Sequence, residues 1–299
     1  MAATSFADRL AAAIDRVGSP ACVGLDPVLE KLPAEIRASV AASDHTAVAR
    51  AFVTFSRGVI DACRGRIGVI KPQAACFERY GAPGVQALHD VIHAGHNAGM
   101  IVVLDAKRGD IGISAEHYAA AAFAGASPAD SLTVSGYLGP DTIEPYLKHA
   151  GRGLFVLVRT SNQGSDAVQS LRLADGRTVA EMMADHVATI GAPRIGACGL
   201  SDVGAVVAAT KPADAAALRA RMPNQVFLIP GYGAQGGTAD DLRGLVRGKR
   251  ENDRPSSSGL LVTASRSVIY AFKDGEARWA DAVAAAAAGF AAEVAGIVG

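Results

Sequence analysis

Short apolar runs recur along the chain, and each ends in small or polar residues. They read "ACVGLDP" (21–27), "IGVIKPQ" (67–73), "MIVVLDAK" (100–107), "SLTVSGYLG" (131–139), "GLFVLVRTSN" (153–162), "VGAVVAAT" (203–210), "VFLIPGYGAQGG" (226–237) and "GLLVTASRS" (259–267). Their valines, isoleucines and leucines are contiguous rather than alternating. Such runs mark strands covered on both faces, as in parallel sheets wrapped by helices. Most gaps between them hold about 15–40 residues with helical periodicity, for example "APGVQALHDVIHAGHNAG" (82–99). Eight such units predict an α/β chain folded as a (β/α)8 TIM barrel, one domain over 1–299. A doubly wound open sheet is the second choice. No GxGxxG follows the first strand, which weakens a dinucleotide-binding version of it.

The two ends read as helices. Phe6, Leu10, Ile14 and Val17 fall at helical spacing, and Asp8, Arg9, Asp15 and Arg16 interrupt any signal-peptide core. The tail "DAVAAAAAGFAAEVAGIVG" is Ala-rich and broken by Glu293. A membrane span needs about 20 strongly apolar residues, so the tail is expected to be a packed helix, with no membrane partner. The polar stretch "GKRENDRPSSSG" (248–259) between the seventh and eighth strands is expected to be a mobile loop.

Charge narrows the function. Lysine plus arginine total 29 and aspartate plus glutamate total 29, so the formal net charge is zero. A nucleic-acid partner, which usually calls for a basic excess, is not expected; a small anionic ligand needs only a few local cations. Cys22, Cys63, Cys76 and Cys198 form no CxxC pair and read as reduced, mostly buried thiols, which suits a cytoplasmic location. His89, His93 and His96 share helical intervals; a solvated helix face is preferred there over a metal site.

Candidate chemistry sits at the strand ends. In a parallel barrel the carboxyl ends of the strands form the active-site mouth. Read that way, the first strand contributes Asp26, the second Lys71, and the third Asp105, Lys107 and Asp110. The fifth contributes Ser161 and Asn162, the seventh Gly231, Gly233 and Gln235, and the eighth Ser265 and Arg266. Asp105 and Lys107 are two apart, so on a strand they share a side. With Lys71 from the neighbouring strand they make a row of alternating charge, which keeps each buried charge partnered. "PGYGAQGG" offers backbone N–H groups to an anion, and Arg266 in "TASRS" offers a guanidinium fork to phosphate oxygens. Loops after the last two strands are the usual phosphate grip of this barrel class.

From "VGLDP" to "ASRSVIYA" the chain resembles the orotidine 5′-phosphate decarboxylase family, in particular its longer bacterial-type members. "LDAKRGDIG" matches the family's DxKxxD signature, and "IKPQAACFERYG", "RTSNQGS" and "PGYGAQGG" match its other blocks in order. Ala208 replaces an expected Gly, and Ser135-Gly136 an expected Asn-Pro; neither lies in the charged row.

The resemblance implies a homodimeric barrel with a shared active site. It would convert orotidine 5′-monophosphate to UMP and CO2 with no metal and no organic cofactor. It implies that Lys107 delivers the proton to pyrimidine C6, that Asp105 lies beside the departing carboxylate, and that Lys71 contacts the ribose and orders the row. Asp110 would reach into the partner subunit's site, with Ser114 a polar contact near it. Asp26 would contact the ribose, Ser161 the pyrimidine, and Gln235 and Arg266 the phosphate, with Gly231, Gly233 and Ser265 beside them. Two alternatives stay open: a Mg2+-dependent sugar-phosphate decarboxylase or lyase of the same barrel group, and a non-catalytic module that binds a phosphate ligand.

Overall fold

Each apolar run supplies one strand: β1 Ala21–Leu25, β2 Val69–Pro72, β3 Ile101–Arg108, β4 Ser131–Val134, β5 Gly153–Arg159, β6 Val203–Val207, β7 Phe227–Ile229 and β8 Leu260–Ala264. All neighbours pair in parallel and the order is sequential. The ring closes where Ala21–Val23 of β1 meet Val262–Ala264 of β8. The computed structural model describes residues 4–232, 236–248, 253–276 and 278–298.

The longer helices are α1 Phe6–Val17, α2 His45–Cys63, α3 Gly81–Asn97, α4 Gly112–Phe123, α5 Val179–Gly191, α6 Pro212–Arg221 and α7 Trp279–Val298. Among the described residues, the β4–β5 and β7–β8 crossovers carry short helical segments, Glu144–Leu147 and Ala239–Arg243 being their α-helices. The expected (β/α)8 barrel is therefore the observed one.

The sheet separates two apolar clusters. Its outer face, with Val23, Ile70, Val102, Leu154 and Val262, packs with the surrounding helices. Its inner face, with Cys22, Val69, Val103, Phe155, Leu228 and Leu261, joins Phe6, Leu10 and Ile14 of α1. The amphipathic helix foreseen at the N-terminus is thus the plug of the barrel's amino end. Phe6 meets Phe155 edge-to-face at 6.1 Å. Gly153 leaves the room for it, since a Cβ there would stand 1.9 Å from the Phe6 ring. With the amino end plugged, the barrel interior opens at its carboxyl end.

Helix α7 is long and apolar enough to cross a membrane by length and composition alone. Here it buries Trp279, Val283, Ala287, Phe290 and Val294. Trp279 fits over Gly58 of α2, where a Cβ would come within 2.4 Å of the indole, and donates its N–H to Glu35 at 2.8 Å.

The stretch 248–259, expected to be a mobile loop, is described only in part. Residues 249–252 lie outside the described residues. Beyond them, Pro255–Ser258 make a 3-10 turn whose three serines are buried. Ser256 donates its N–H and its hydroxyl to Asp15 of α1, at 3.1 and 2.9 Å, tying the turn to the plug.

His96 also takes a structural role. Its Nε2 lies 2.9 Å from buried Asp130, which accepts bonds from Arg9 and the Val102 N–H as well. The four cysteines are free thiols, Cys22 and Cys63 being buried.

Candidate active site

The carboxyl ends of the strands surround a cavity of about 650 Å³. Asp26, Lys71, Asp105, Lys107, Ser161, Gly231, Ser265 and Arg266 all line it. These side chains come from six different strand ends, so the fold alone brings them together.

At the centre lies Asp105, 6% exposed, with both carboxylate oxygens engaged. Oδ2 accepts from Lys71 Nζ at 2.6 Å and Gln73 Nε2 at 3.3 Å. Oδ1 accepts from Lys107 Nζ at 2.6 Å and the Thr133 hydroxyl at 3.0 Å. Burial alone would raise the Asp105 pKa, but the two ammonium groups outweigh it and hold the carboxyl at about 2. Burial works against the charge of Lys71 too, and there the negative charges of Asp105 and Asp26 win, so its pKa lies above the ordinary lysine value. The row is fixed as cation, anion, cation.

Simple strand alternation does not account for the position of Lys107. The β3–β4 register shifts between Leu104 and Arg108. Within that irregularity Lys107 adopts φ of 46°, the one positive φ of a non-glycine among the described residues. The left-handed region is unfavourable for an L side chain and persists where surroundings impose it. Thr133 imposes it here: its Oγ1 accepts the N–H groups of Ala106 at 3.1 Å and Lys107 at 2.9 Å, while its own proton goes to Asp105. One threonine on β4 therefore sets both the backbone of Lys107 and the orientation of its counter-ion.

Asp26, at the end of β1, has a buried Oδ1 with no hydrogen-bond donor among the described residues. A buried acceptor facing a cavity without a partner is suited to a ligand hydroxyl.

Across the cavity lie the last two strand ends. Gly231 has φ of 88°, which suits glycine, and its carbonyl accepts the Gly237 N–H at 3.1 Å, closing the neck of the β7 loop. Gly233 and Gln235, both expected as ligand contacts, lie outside the described residues. Arg266 opens the short helix Arg266–Ile269, is exposed, and has no ion-pair partner among the described residues. The residue before it, Ser265, occupies the space left by Gly24, where a Cβ would stand 2.0 Å from its hydroxyl.

Two expected residues do not reach the cavity. Asp110 accepts the Ile111 N–H at 2.8 Å, and Ser114 lies on α4; neither lines the pocket of its own chain. Conversely, Gln73, Thr133, Thr160, Gln169, Tyr232 and Thr263 line it without having been foreseen. Thr263 carried a signal, being a lone hydroxyl near the end of an otherwise apolar strand, whereas Thr133 shares its strand with Ser131. Gln73 lies two residues after Lys71 and so shares its side. Nothing in the local sequence singles out Gln169.

Comparison with known proteins points the same way. The profile of the orotidine 5′-phosphate decarboxylase / HUMPS family matches residues 22–287. The orotidine 5′-phosphate decarboxylase of Rhodopirellula baltica is 42% identical over 298 residues, covering 94% of this chain and 96% of that one. That of Ralstonia pickettii is 39% identical over 272 residues, covering 91% and 92%. The structure of Leishmania donovani OMP decarboxylase superposes with a TM-score of 0.75 at 34% identity, covering 99% of each chain. A cation–anion–cation row at the open end of a parallel barrel, a family profile across most of its length and relatives matching end to end lead to one conclusion: the chain belongs to the orotidine 5′-phosphate decarboxylase / HUMPS family.

Proposed function

We propose that Lys107 is the acid with which this enzyme decarboxylates orotidine 5′-monophosphate to UMP and CO2, the last step of UMP biosynthesis. The observation that carries the reading is the row Lys71–Asp105–Lys107, joined by two 2.6 Å contacts. Breaking the bond from C6 to the carboxylate leaves its electron pair in the plane of the ring, where delocalisation is poor. A fixed ammonium stabilises that charge as it forms. The C6 carbanion then takes a proton from Lys107 Nζ, which is left as a neutral amine. The ammonium itself supplies the positive charge, so the reaction is assigned to the protein without metal or organic cofactor.

Asp105 has two tasks in this scheme. It keeps the amine in place, and its charge faces the substrate carboxylate. Two like charges ~4 Å apart repel by ~4 kcal/mol at an effective dielectric of 20. That repulsion vanishes as neutral CO2 departs. Asp26, with its unpartnered Oδ1, and Lys71 take the ribose hydroxyls, while Ser161 takes the pyrimidine. Gly231, Ser265 and Arg266 take the phosphate, together with Gly233 and Gln235 of the same loop.

Asp110 and Ser114 belong to a second copy's site in this reading. Beside them are the exposed apolar side chains of Ile111, Ile113, Tyr137 and Leu138, with Tyr137 80% exposed. Their two segments adjoin, since the Ser135 N–H donates to the Arg108 carbonyl at 2.7 Å. Such a surface next to a carboxylate supports a homodimer in which Asp110 completes the partner's pocket. The free thiols support a reducing, cytoplasmic setting.

The test is decarboxylation of orotidine 5′-monophosphate, followed by ultraviolet absorbance in EDTA-treated enzyme. Full turnover is expected for the wild type, and none for Lys107→Ala, which should still bind UMP. Turnover near wild type in Lys107→Ala would remove the assigned acid. Mixing inactive Asp110→Ala and Lys107→Ala subunits should restore part of the activity; no recovery would argue against a shared site.

A further inference from the structure

Arg159, the last residue of β5, is 3% exposed and spends its side chain on no ligand. Every nitrogen of its guanidinium is engaged. Nε donates to Asp214 of α6 at 2.6 Å. Nη1 donates to the Ser165 hydroxyl at 3.1 Å and Gln169 Oε1 at 3.3 Å. Nη2 donates to Asp166, and to the Ser170 hydroxyl at 3.2 Å. Asp166 is held from its other side by Lys211 at 2.7 Å. The guanidinium thus joins the whole excursion 163–170 to the start of α6 on the next unit of the barrel.

The path from Arg159 ends at the cavity. Gln169, held by Arg159, accepts the Thr160 N–H at 2.9 Å and donates to the Thr160 hydroxyl at the same distance. The Thr160 hydroxyl in turn donates to Asn162 Oδ1 at 2.7 Å. Thr160, Ser161, Asn162 and Gln169 all line the cavity. The residue assigned to the pyrimidine is therefore flanked on both sides by groups whose positions derive from one buried arginine. A guanidinium removed from water is costly to keep even beside two carboxylates that stay partly exposed, and an apolar plug of like volume would often serve stability as well. A fork of five rigid donors does what neither a plug nor a lysine does: it fixes several acceptors in one geometry.

We infer that Arg159 is a positioning residue for recognition of the nucleobase, acting through Gln169 and Thr160 on Ser161 and Asn162. The inference rests on the assignment of Ser161 to the pyrimidine. It separates the two ends of the ligand: the β5 loop holds the base, whereas the β7 and β8 loops hold the phosphate and do not depend on Arg159.

The experiment measures inhibition constants of UMP, which has a base, and ribose 5-phosphate, which has none, on the full-length enzyme. Arg159→Lys keeps a charge and loses the fork. It should weaken UMP tenfold or more and leave ribose 5-phosphate within twofold. Asp214→Asn, a milder change remote from the ligand, should shift the same ratio by threefold or more, and it carries the test if Arg159→Lys does not fold. Equal weakening of both inhibitors, or no weakening of UMP, would overturn the inference. Ser161→Ala tests the underlying assignment. If it weakens UMP while the Arg159 and Asp214 variants do not, only the positioning role fails; if it leaves UMP binding unchanged, the assignment of the loop to the base fails with it.

Discussion

Replacing Asp105 by asparagine removes one charge and almost no volume, so it isolates the electrostatics of the row. Two ammonium groups then lose the anion between them at contacts of 2.6 Å each. Deleting one member of a buried ion pair costs roughly 3–5 kcal/mol, because the survivor stays buried and unpaired. Lys71 has a side chain only 9% exposed and bears that cost, whereas the Lys107 side chain is 48% exposed and partly screened by water. A stability loss of about 3 kcal/mol, at the lower end, is therefore expected. The loss of a fixed partner for the acid should reduce kcat/KM by about 100- to 1000-fold, at 1.36 kcal/mol per tenfold. Sign also follows. In the native protein the Lys71 pKa is raised, so its contribution to stability is present below the unfolded lysine pKa and lost as pH rises through the native one. Without Asp105, burial drives that pKa down. The rate profile, recorded by ultraviolet assay from about pH 5 to 10, should gain an alkaline limb in the variant that the wild type lacks over that range. Activity within threefold of wild type, with no such limb, would refute the claim that Asp105 orders the row.

Three further outcomes follow. Gly24→Ala places a methyl group 2.0 Å from the Ser265 hydroxyl; kcat/KM should fall at least tenfold, and unchanged inhibition by ribose 5-phosphate would disprove a phosphate role for that corner. Gly153→Ala drives a Cβ into the Phe6 ring; overpacking of about 2 kcal/mol should lower Tm by about 4 °C or more in a thermal scan, and an unshifted melt would mean that the plug yields freely. Asp130 is held at about 2, as bonds from His96, Arg9 and the Val102 N–H outweigh the effect of burial. Its depressed pKa contributes about 2 kcal/mol that is present above about pH 4 and lost as pH falls through about 2, so Asp130→Asn should flatten the acid side of a Tm–pH curve; an unaltered slope would exclude Asp130 as a source of it.

The strands were legible because each is a contiguous aliphatic run ending in a polar cluster, and a parallel barrel puts all such ends on one rim. Asp26, Lys71, Asp105 and Arg266 could be assigned from that rule alone. The geometry of Lys107 could not. Period-two alternation puts it on the side of Asp105, yet the observed contact depends on a register shift and a left-handed backbone imposed by Thr133, a residue of another strand. The network of Arg159 was hidden for the same reason, since its acceptors are scattered from Ser165 to Asp214 and each alone reads as a loop polar group or a helix cap. Asp110 shows the limit from the other direction: its place in a motif is plain, while a single chain gives it no ligand to touch.

Closure of the ring through β1 and β8 has a consequence for synthesis. The first and last staves are separated by about 240 residues of chain, so a ribosome exposes an open sheet with bare edges at β1 and at its growing side until residues 260–264 emerge. Arg266 emerges immediately afterwards. Binding competence and protection from aggregation therefore arrive together, and a product cut short before β8 has neither.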